Sequence, residues 1–201
     1  MKERLRSVLE RSQTVGFLGP NDVDEHIVHA EAFSSALTCK RFVDIGSGGG
    51  VPALPLLVFD DSLSATLVDT SQKRCSFLVW ATAELGLTER VKVWRGRAEV
   101  LAHSEDYRLQ FDAVTARSFG PPSWTFECAV GFLRLGGQFV VSEPPVKRGW
   151  PPSSELERYG MEQTEGFEGV ARFKRIGDIP PELPRSFKTA KLYPLLQVQR
   201  P

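Results

Sequence analysis

The sequence predicts a doubly wound, mostly parallel α/β sheet, on three observations. From Arg41 onward, short apolar runs alternate with longer stretches of helical periodicity. The first apolar run opens into a glycine loop, Gly46-Ser47-Gly48-Gly49-Gly50, and the second stops on an acidic residue, Asp69. Strand, tight turn and helix repeated at this spacing are what a parallel sheet with helical crossovers requires.

Each element follows in order. Lys2 to Gln13 carries Leu5, Val8 and Leu9 at helical spacing and reads as a short amphipathic helix. Gly16 to Pro20 breaks it. A second helix is expected from an N-cap at Asn21, with Val23, Ile27, Ala30, Phe33 and Leu37 on its apolar face. Arg41 to Ile45 is the first strand, and Leu54 to Phe59 belongs to the helix after the glycine loop. Ala65 to Val68 is the second strand, followed by a helix from Gln72 to Leu85 that Gly86 closes. Val91 to Trp94 and Phe111 to Thr115 are the third and fourth strands. Trp124 to Leu133 reads as a helix, and Gln138 to Ser142 as the fifth strand. Residues 144 to 153 form a proline-rich basic loop, and Val170 to Ile176 alternates like a strand with a basic face. The tail, LPRSFKTAKLYPLL, fits no element.

Length and composition set the frame. A chain of 201 residues, 41% hydrophobic, suits one domain over residues 41–201 with a helical extension over 1–40. No apolar run approaches the roughly 20 residues that span a bilayer, and MKERLRSVLERSQ lacks the apolar stretch of a signal peptide. Cys39, Cys75 and Cys128 are too dispersed for a zinc site or a disulfide framework. A reducing cytoplasm, no membrane and no metal are therefore expected. The 25 basic residues balance the 25 acidic ones, so net charge alone does not point to nucleic acid.

Four glycines in the five residues after a strand allow a tight turn and close backbone approach to a ligand. The dinucleotide fingerprint wants Gly or Ala where this chain has Val51, and the Walker ending Gly-Lys-Ser/Thr is absent. Asp69, at the end of the second strand, is placed to accept hydrogen bonds from two ribose hydroxyls, which suits several nucleotide cofactors equally. Gly96-Arg97-Ala98-Glu99 follows the third strand as a further turn. An acidic residue followed by G-x-G-x-G, here Asp44 and Gly46 to Gly50, resembles the cofactor loop of class I methyltransferases. That resemblance implies a seven-stranded Rossmann-like sheet and S-adenosyl-L-methionine as cofactor.

The fourth strand leads into Ala116-Arg117-Ser118-Phe119, which lacks the Asn/Asp-Pro-Pro-aromatic motif of exocyclic-amine methyltransferases. Cys128 reads as core rather than as a nucleophile. Arg117 is a cation at the mouth of the site, suited to a phosphate or to the oxygen and N7 edge of a purine; an ion pair or helix cap would use it equally well.

The stretches VDIGSGGGVPALPLL, LVDTSQKRCSFL, GRAEV and FDAVTARSF together resemble the small-subunit ribosomal RNA guanine-N7 methyltransferases (the GidB family). Pro52 and Pro55, Lys73-Arg74, His26 and the Pro-Arg…Lys…Pro-Leu tail fit the same family. The resemblance implies that Gly46, Ser47, Gly48, Asp69, Ala98 and Glu99 hold the cofactor, with Asp44 and Gly50 completing the loop. It places Arg117 between cofactor and substrate as a catalytic residue together with His26, and Lys73 or Arg74 on the substrate side. It implies 16S ribosomal RNA or the small ribosomal subunit as partner, and a monomer. Guanine N7 has a lone pair and no proton to lose, so no general base is expected. The chain departs from the family at Glu25, His29 and Glu143, where the family carries arginine, aspartate and lysine. Those departures keep open a methyltransferase acting on a small molecule or another RNA site, or a catalytically silent relative that only binds the cofactor.

Overall fold

The computed structural model describes residues 1–38, 40–143, 150–167 and 169–196. A seven-stranded sheet in the order β3-β2-β1-β4-β5-β7-β6 forms the centre. The strands are β1 (Arg41–Ile45), β2 (Ser64–Asp69), β3 (Val91–Arg95), β4 (Phe111–Ala116), β5 (Leu133–Ser142), β6 (Met161–Phe167) and β7 (Val170–Arg175). β1 to β5 pair in parallel, and β7 runs antiparallel to both β5 and β6. The sheet is thus the mostly parallel, doubly wound one that the alternation of elements predicts.

Period-two alternation divides the apolar residues between two layers. Phe42, Leu67, Ala113 and Val140 pack under α1 (Lys2–Thr14), α2 (Val23–Ala36), α3 (Ala53–Phe59) and α4 (Gln72–Glu84). Val43, Val68, Val114, Phe139 and Val141 pack under α5 (Ala98–Leu101), α6 (Pro122–Val130) and α8 (Phe187–Leu192), with Leu156 of α7 (Ser153–Glu157). Leu5, Val8 and Leu9 of α1 and Phe33 of α2 share the first core with Leu54 and Phe77, so the N-terminal helices are seated directly on the sheet's helical layer.

Four local expectations change. α2 is capped by Asp22, whose carboxylate accepts from the Asp24 amide at 2.9 Å, rather than by Asn21, whose side chain bonds Glu25. α6 begins earlier and ends earlier than its apolar pattern suggests. The chain leaves the helix after Val130 because the Phe132 carbonyl accepts from Phe111 N, and Leu133 then opens β5 beside Phe111. β6 escaped detection because it is an edge strand whose Glu162, Thr164 and Glu165 read as polar. The tail contains α8, capped by Ser186 Oγ accepting from Thr189 N at 3.2 Å. The proline-rich stretch predicted over 144–153 lies outside the described residues at 144–149, as does Cys39. Among the described residues, no helix is long and apolar enough to cross a membrane.

Candidate functional site

The site lies where the strand order reverses, at the carboxyl ends of β1, β2, β3 and β4, as open α/β sheets dictate. Register sets its layout. Ile45 pairs with Val68 on one side and with Ala116 on the other, so the glycine loop, Asp69 and Arg117 emerge from three adjacent strands at one level.

The loop after β1 is pinned by its own backbone. Gly46 N and Ser47 N both donate to the Val68 carbonyl, at 2.8 and 3.0 Å. Ser47 Oγ donates to Asp44 O and accepts from Val68 N. Gly48 N donates to Asp69 Oδ2 at 3.0 Å, while Asp69 Oδ1 accepts from Ser71 N at 2.8 Å. Asp69 therefore shapes the loop and still keeps lone pairs for a ligand. The glycines divide the work. Gly46 sits at φ +71°, and a β-carbon there would lie 2.6 Å from the Phe119 ring that rests on it. Gly50, at φ +92°, faces inward: a β-carbon would meet Leu54 Cδ1 at 2.4 Å. Gly50 lines none of the three cavities at this end of the sheet, so its part is to let the loop pack on α3. Gly49 is the seat of α1, whose Ser12 Oγ donates to its carbonyl at 3.0 Å.

Beneath the loop, Asp44 is 1% exposed, with Oδ1 accepting from Thr115 Oγ1 at 2.6 Å. Oδ2 has no partner. Burial pushes this carboxyl up to about 6, against the lowering effect of Thr115 and Ser47. Like Gly50, Asp44 lines none of the three cavities, so this open acceptor acts on the site from beneath the loop.

Three cavities meet here. One, of about 310 Å³, runs over Gly46 and Asp69 to Gly96, Ala98 and Glu99, and is walled by Phe119, Trp124 and Phe187. A second, of about 320 Å³, continues along Ser47 and Gly48 to His26, Arg74 and Arg117. The third, of about 690 Å³, opens on the far side of Phe119, between His29, Arg117, Thr125, Glu143 and Trp150. Ser118 lines all three, held at φ +53°, a conformation a non-glycine residue adopts at a cost. Its strain is localised at the junction of the cavities.

Arg117 is the link between cavities. Its Nη2 donates to His26 Nδ1 at 2.7 Å, and because a guanidinium can only donate, Nδ1 of His26 is unprotonated. The proton sits on Nε2, which donates to Gly19 O at 3.3 Å. Burial, opposed by the Gly19 carbonyl and reinforced by the Arg117 charge, holds the His26 imidazole below its ordinary range. Nη1 of Arg117 is buried and has no partner. Nδ1 of His29 is likewise unpartnered, and burial also depresses this imidazole.

Most of the residues singled out from the sequence come together at this end of the sheet. Asp69, Ala98 and Glu99 line the first cavity, with Glu99 Oε1 accepting from Arg97 at 2.9 Å. His26 and Arg117, far apart in the chain, touch. Arg74 lies beside Asp69, its Nη1 3.7 Å from Oδ2, and lines the first two cavities rather than the third. Lys73, one residue earlier on α4, is exposed and lines none of the three. Cys128 is wholly buried, and burial raises its thiol, in keeping with a core role. Sequence reasoning missed Trp124, Phe119 and Phe187. Their only signal is aromatic character on elements whose placement depends on the sheet.

A family profile described as rRNA small subunit methyltransferase G matches residues 6–145, from within α1 through β5. The chain belongs to that family. Ribosomal RNA small subunit methyltransferase G of Caldanaerobacter subterraneus is 30% identical over 167 residues, 78% of this chain and 70% of that protein. The family member of Streptococcus pyogenes serotype M49 is 39% identical over 101 residues, 50% of this chain and 42% of its own length. Among solved structures, an O-methyltransferase from Bacillus cereus in complex with SAH superposes with a TM-score of 0.57 at 16% identity, over 86% of this chain and 89% of that one. At that identity the likeness shows the fold, which is the class I methyltransferase fold. The family match ends near Glu143, so β6, β7 and α8 lie beyond it.

Proposed function

We propose that this chain is an S-adenosyl-L-methionine-dependent methyltransferase that modifies guanine N7 in small-subunit (16S) ribosomal RNA. The observation that carries the reading is the pair of cavities flanking Arg117: a polar groove over the glycine loop on one side, and a larger, more apolar chamber on the other. That groove and the first cavity, which meet over Gly46, together fit the methyl donor. Asp69, with spare lone pairs at a strand end, suits the ribose hydroxyls; Ala98 and the apolar walls suit adenine; the charge of Asp44, beneath the loop, favours a cationic amino group above it. When bound, that donor supplies an electrophilic methyl group on a sulfonium.

The remaining work falls to this chain's residues. N7 carries a lone pair, so attack on a methyl group leaves no proton to remove, and His26 is held neutral as a hydrogen-bond acceptor rather than poised as a base. Its task is to position Arg117. The unpartnered Nη1 then faces whatever enters, and a guanidinium suits the O6 edge of guanine or a neighbouring phosphate. Alignment of donor and acceptor is the main contribution such a site makes, worth several kcal/mol.

The test is tritium transfer from labelled donor to purified small-subunit RNA or particles, with nuclease fragments mapped by mass spectrometry. Label on one N7-methylguanosine is the expected result. Donor binding without transfer to any ribosomal substrate would reject the RNA reading while leaving the fold's cofactor intact.

A further inference from the structure

We infer that the C-terminal segment 183–196 is the outer wall of the cofactor cavity at its adenine end: Phe187 is the aromatic face against which the base lies, and the ion pair of Arg185 with the buried Glu127 fixes it there. The inference rests on the methyl-donor reading above.

Phe187 stands 5.3 Å from Trp124, ring edge to face, and both line the cavity opposite Gly96, Ala98 and Glu99. At 40% exposure, Phe187 shows apolar area that nothing in the described chain covers. An adenine-type nucleoside has an apolar face and a polar sugar. The cavity matches it in that order, with rings on one side and Asp69 at the strand end on the other.

A six-residue helix cannot hold a ring in place by its own stability. The fold holds it otherwise. Glu127 on α6 is 0% exposed, and its two oxygens accept from Arg185 N at 2.8 Å, Nε at 2.7 Å and Nη2 at 2.9 Å. Arg185 Nη2 also donates to Tyr193 O, which ties the two ends of α8 together. His103 and Arg108 bond the Pro184 and Leu183 carbonyls, both at 2.7 Å, and Leu196 N donates to Ser123 Oγ at 3.0 Å. Burying the Glu127 carboxylate costs desolvation that packing alone would avoid; its return is a fixed position. The position fixed is that of Phe187.

Calorimetric titration of the whole chain with S-adenosylhomocysteine and with 5′-methylthioadenosine, which keeps the adenosine and lacks the amino-acid end, tests this. Phe187→Ala should weaken both ligands by the same factor, about fivefold or more, the loss expected for one stacked base. Phe187→Tyr should stay within about twofold of the parent. In hydrogen exchange on the unaltered chain, saturating S-adenosylhomocysteine should slow amides across 185–193. Binding of both ligands to Phe187→Ala within about twofold of the parent, or exchange at 185–193 that the ligand leaves unchanged, would overturn the inference while the methyl-donor reading stands. A parent chain that binds neither ligand would remove both.

Discussion

The two halves of the site are built in opposite ways. On the cofactor side, the loop is tied to its neighbours, its amides to Val68, Gly48 to Asp69 and Ser47 to both strands, and among the described residues Asp44 Oδ2 alone is left open there. Across Arg117, by contrast, buried polar atoms are left open on His29 and on Arg117 itself. The first half is made from consecutive strand ends and their turns. The second is assembled from α2, the turn after β4, the end of β5 and the β6–β7 hairpin. A preorganised half binds a ligand that is always the same. A half with open donors and acceptors is completed by its substrate, and until then carries the cost of their desolvation.

The largest expected effect would break this contrast at its hinge. Arg117→Ala should lower methyl transfer by about 100-fold or more while S-adenosylhomocysteine binds within about threefold of the parent, because the lost contact belongs to the open half. Parallel tritium-transfer and calorimetric measurements decide it; equal losses in both would place Arg117 on the cofactor side. Asp69→Ala should do the reverse, weakening the cofactor by roughly 100-fold, since it removes two charge-assisted hydrogen bonds and the anchor of Gly48. Retained affinity in that variant would show that the loop does not need its acidic partner.

A smaller effect concerns Asp44. Its folded value, about 6, stands above that of the unfolded chain, so the group favours folding while protonated and loses that contribution as pH rises through about 6. Ligand binding should run the other way. A cationic amino group favours the ionised form, so affinity for S-adenosylhomocysteine should rise about tenfold between pH 5 and pH 7. Asp44→Asn should flatten that slope, and a slope that survives the substitution assigns the proton elsewhere.

His26→Ala should cost about tenfold in transfer and little in cofactor affinity, because it releases Arg117 without removing its charge. In the parent chain the rate should stay level from pH 7 to pH 9, since this imidazole is already neutral there. A rate that rises across that interval would give His26 a proton-transfer role. Smallest of all, Glu25→Ala should leave folding and transfer within about 0.5 kcal/mol of the parent, as expected of an exposed side chain bonded to Asn21.

Legibility follows the same division. Strand ends such as Asp69, and the loop they carry, were readable because the chemistry is local: a glycine run after an apolar strand has few physical uses. Even there the sequence could not tell Gly46, which meets the site, from Gly50, which meets Leu54. It could not separate Arg74 from Lys73, since helix phase decides which of two adjacent cations turns toward Asp69. β6 and α8 were illegible for another reason. Polar residues interrupt both, and they are held by partners such as Arg172 with Thr164 and Glu127 with Arg185, contacts with no sequence period.

By itself, the sequence determined the parallel sheet, the order of its first five strands along the chain, the glycine loop with its acidic partner, and the family. These follow from periodicity and from the backbone freedom of glycine, both of which act over a few residues. Only the tertiary structure decided that His26 meets Arg117, that α1 seats on Gly49, and that Phe187 of the tail returns to line the cavity over Gly46 and Asp69. Those depend on which strands lie side by side, and the reversal of strand order between β1 and β4 is what brings Gly46, His26 and Arg117 to one end of the sheet.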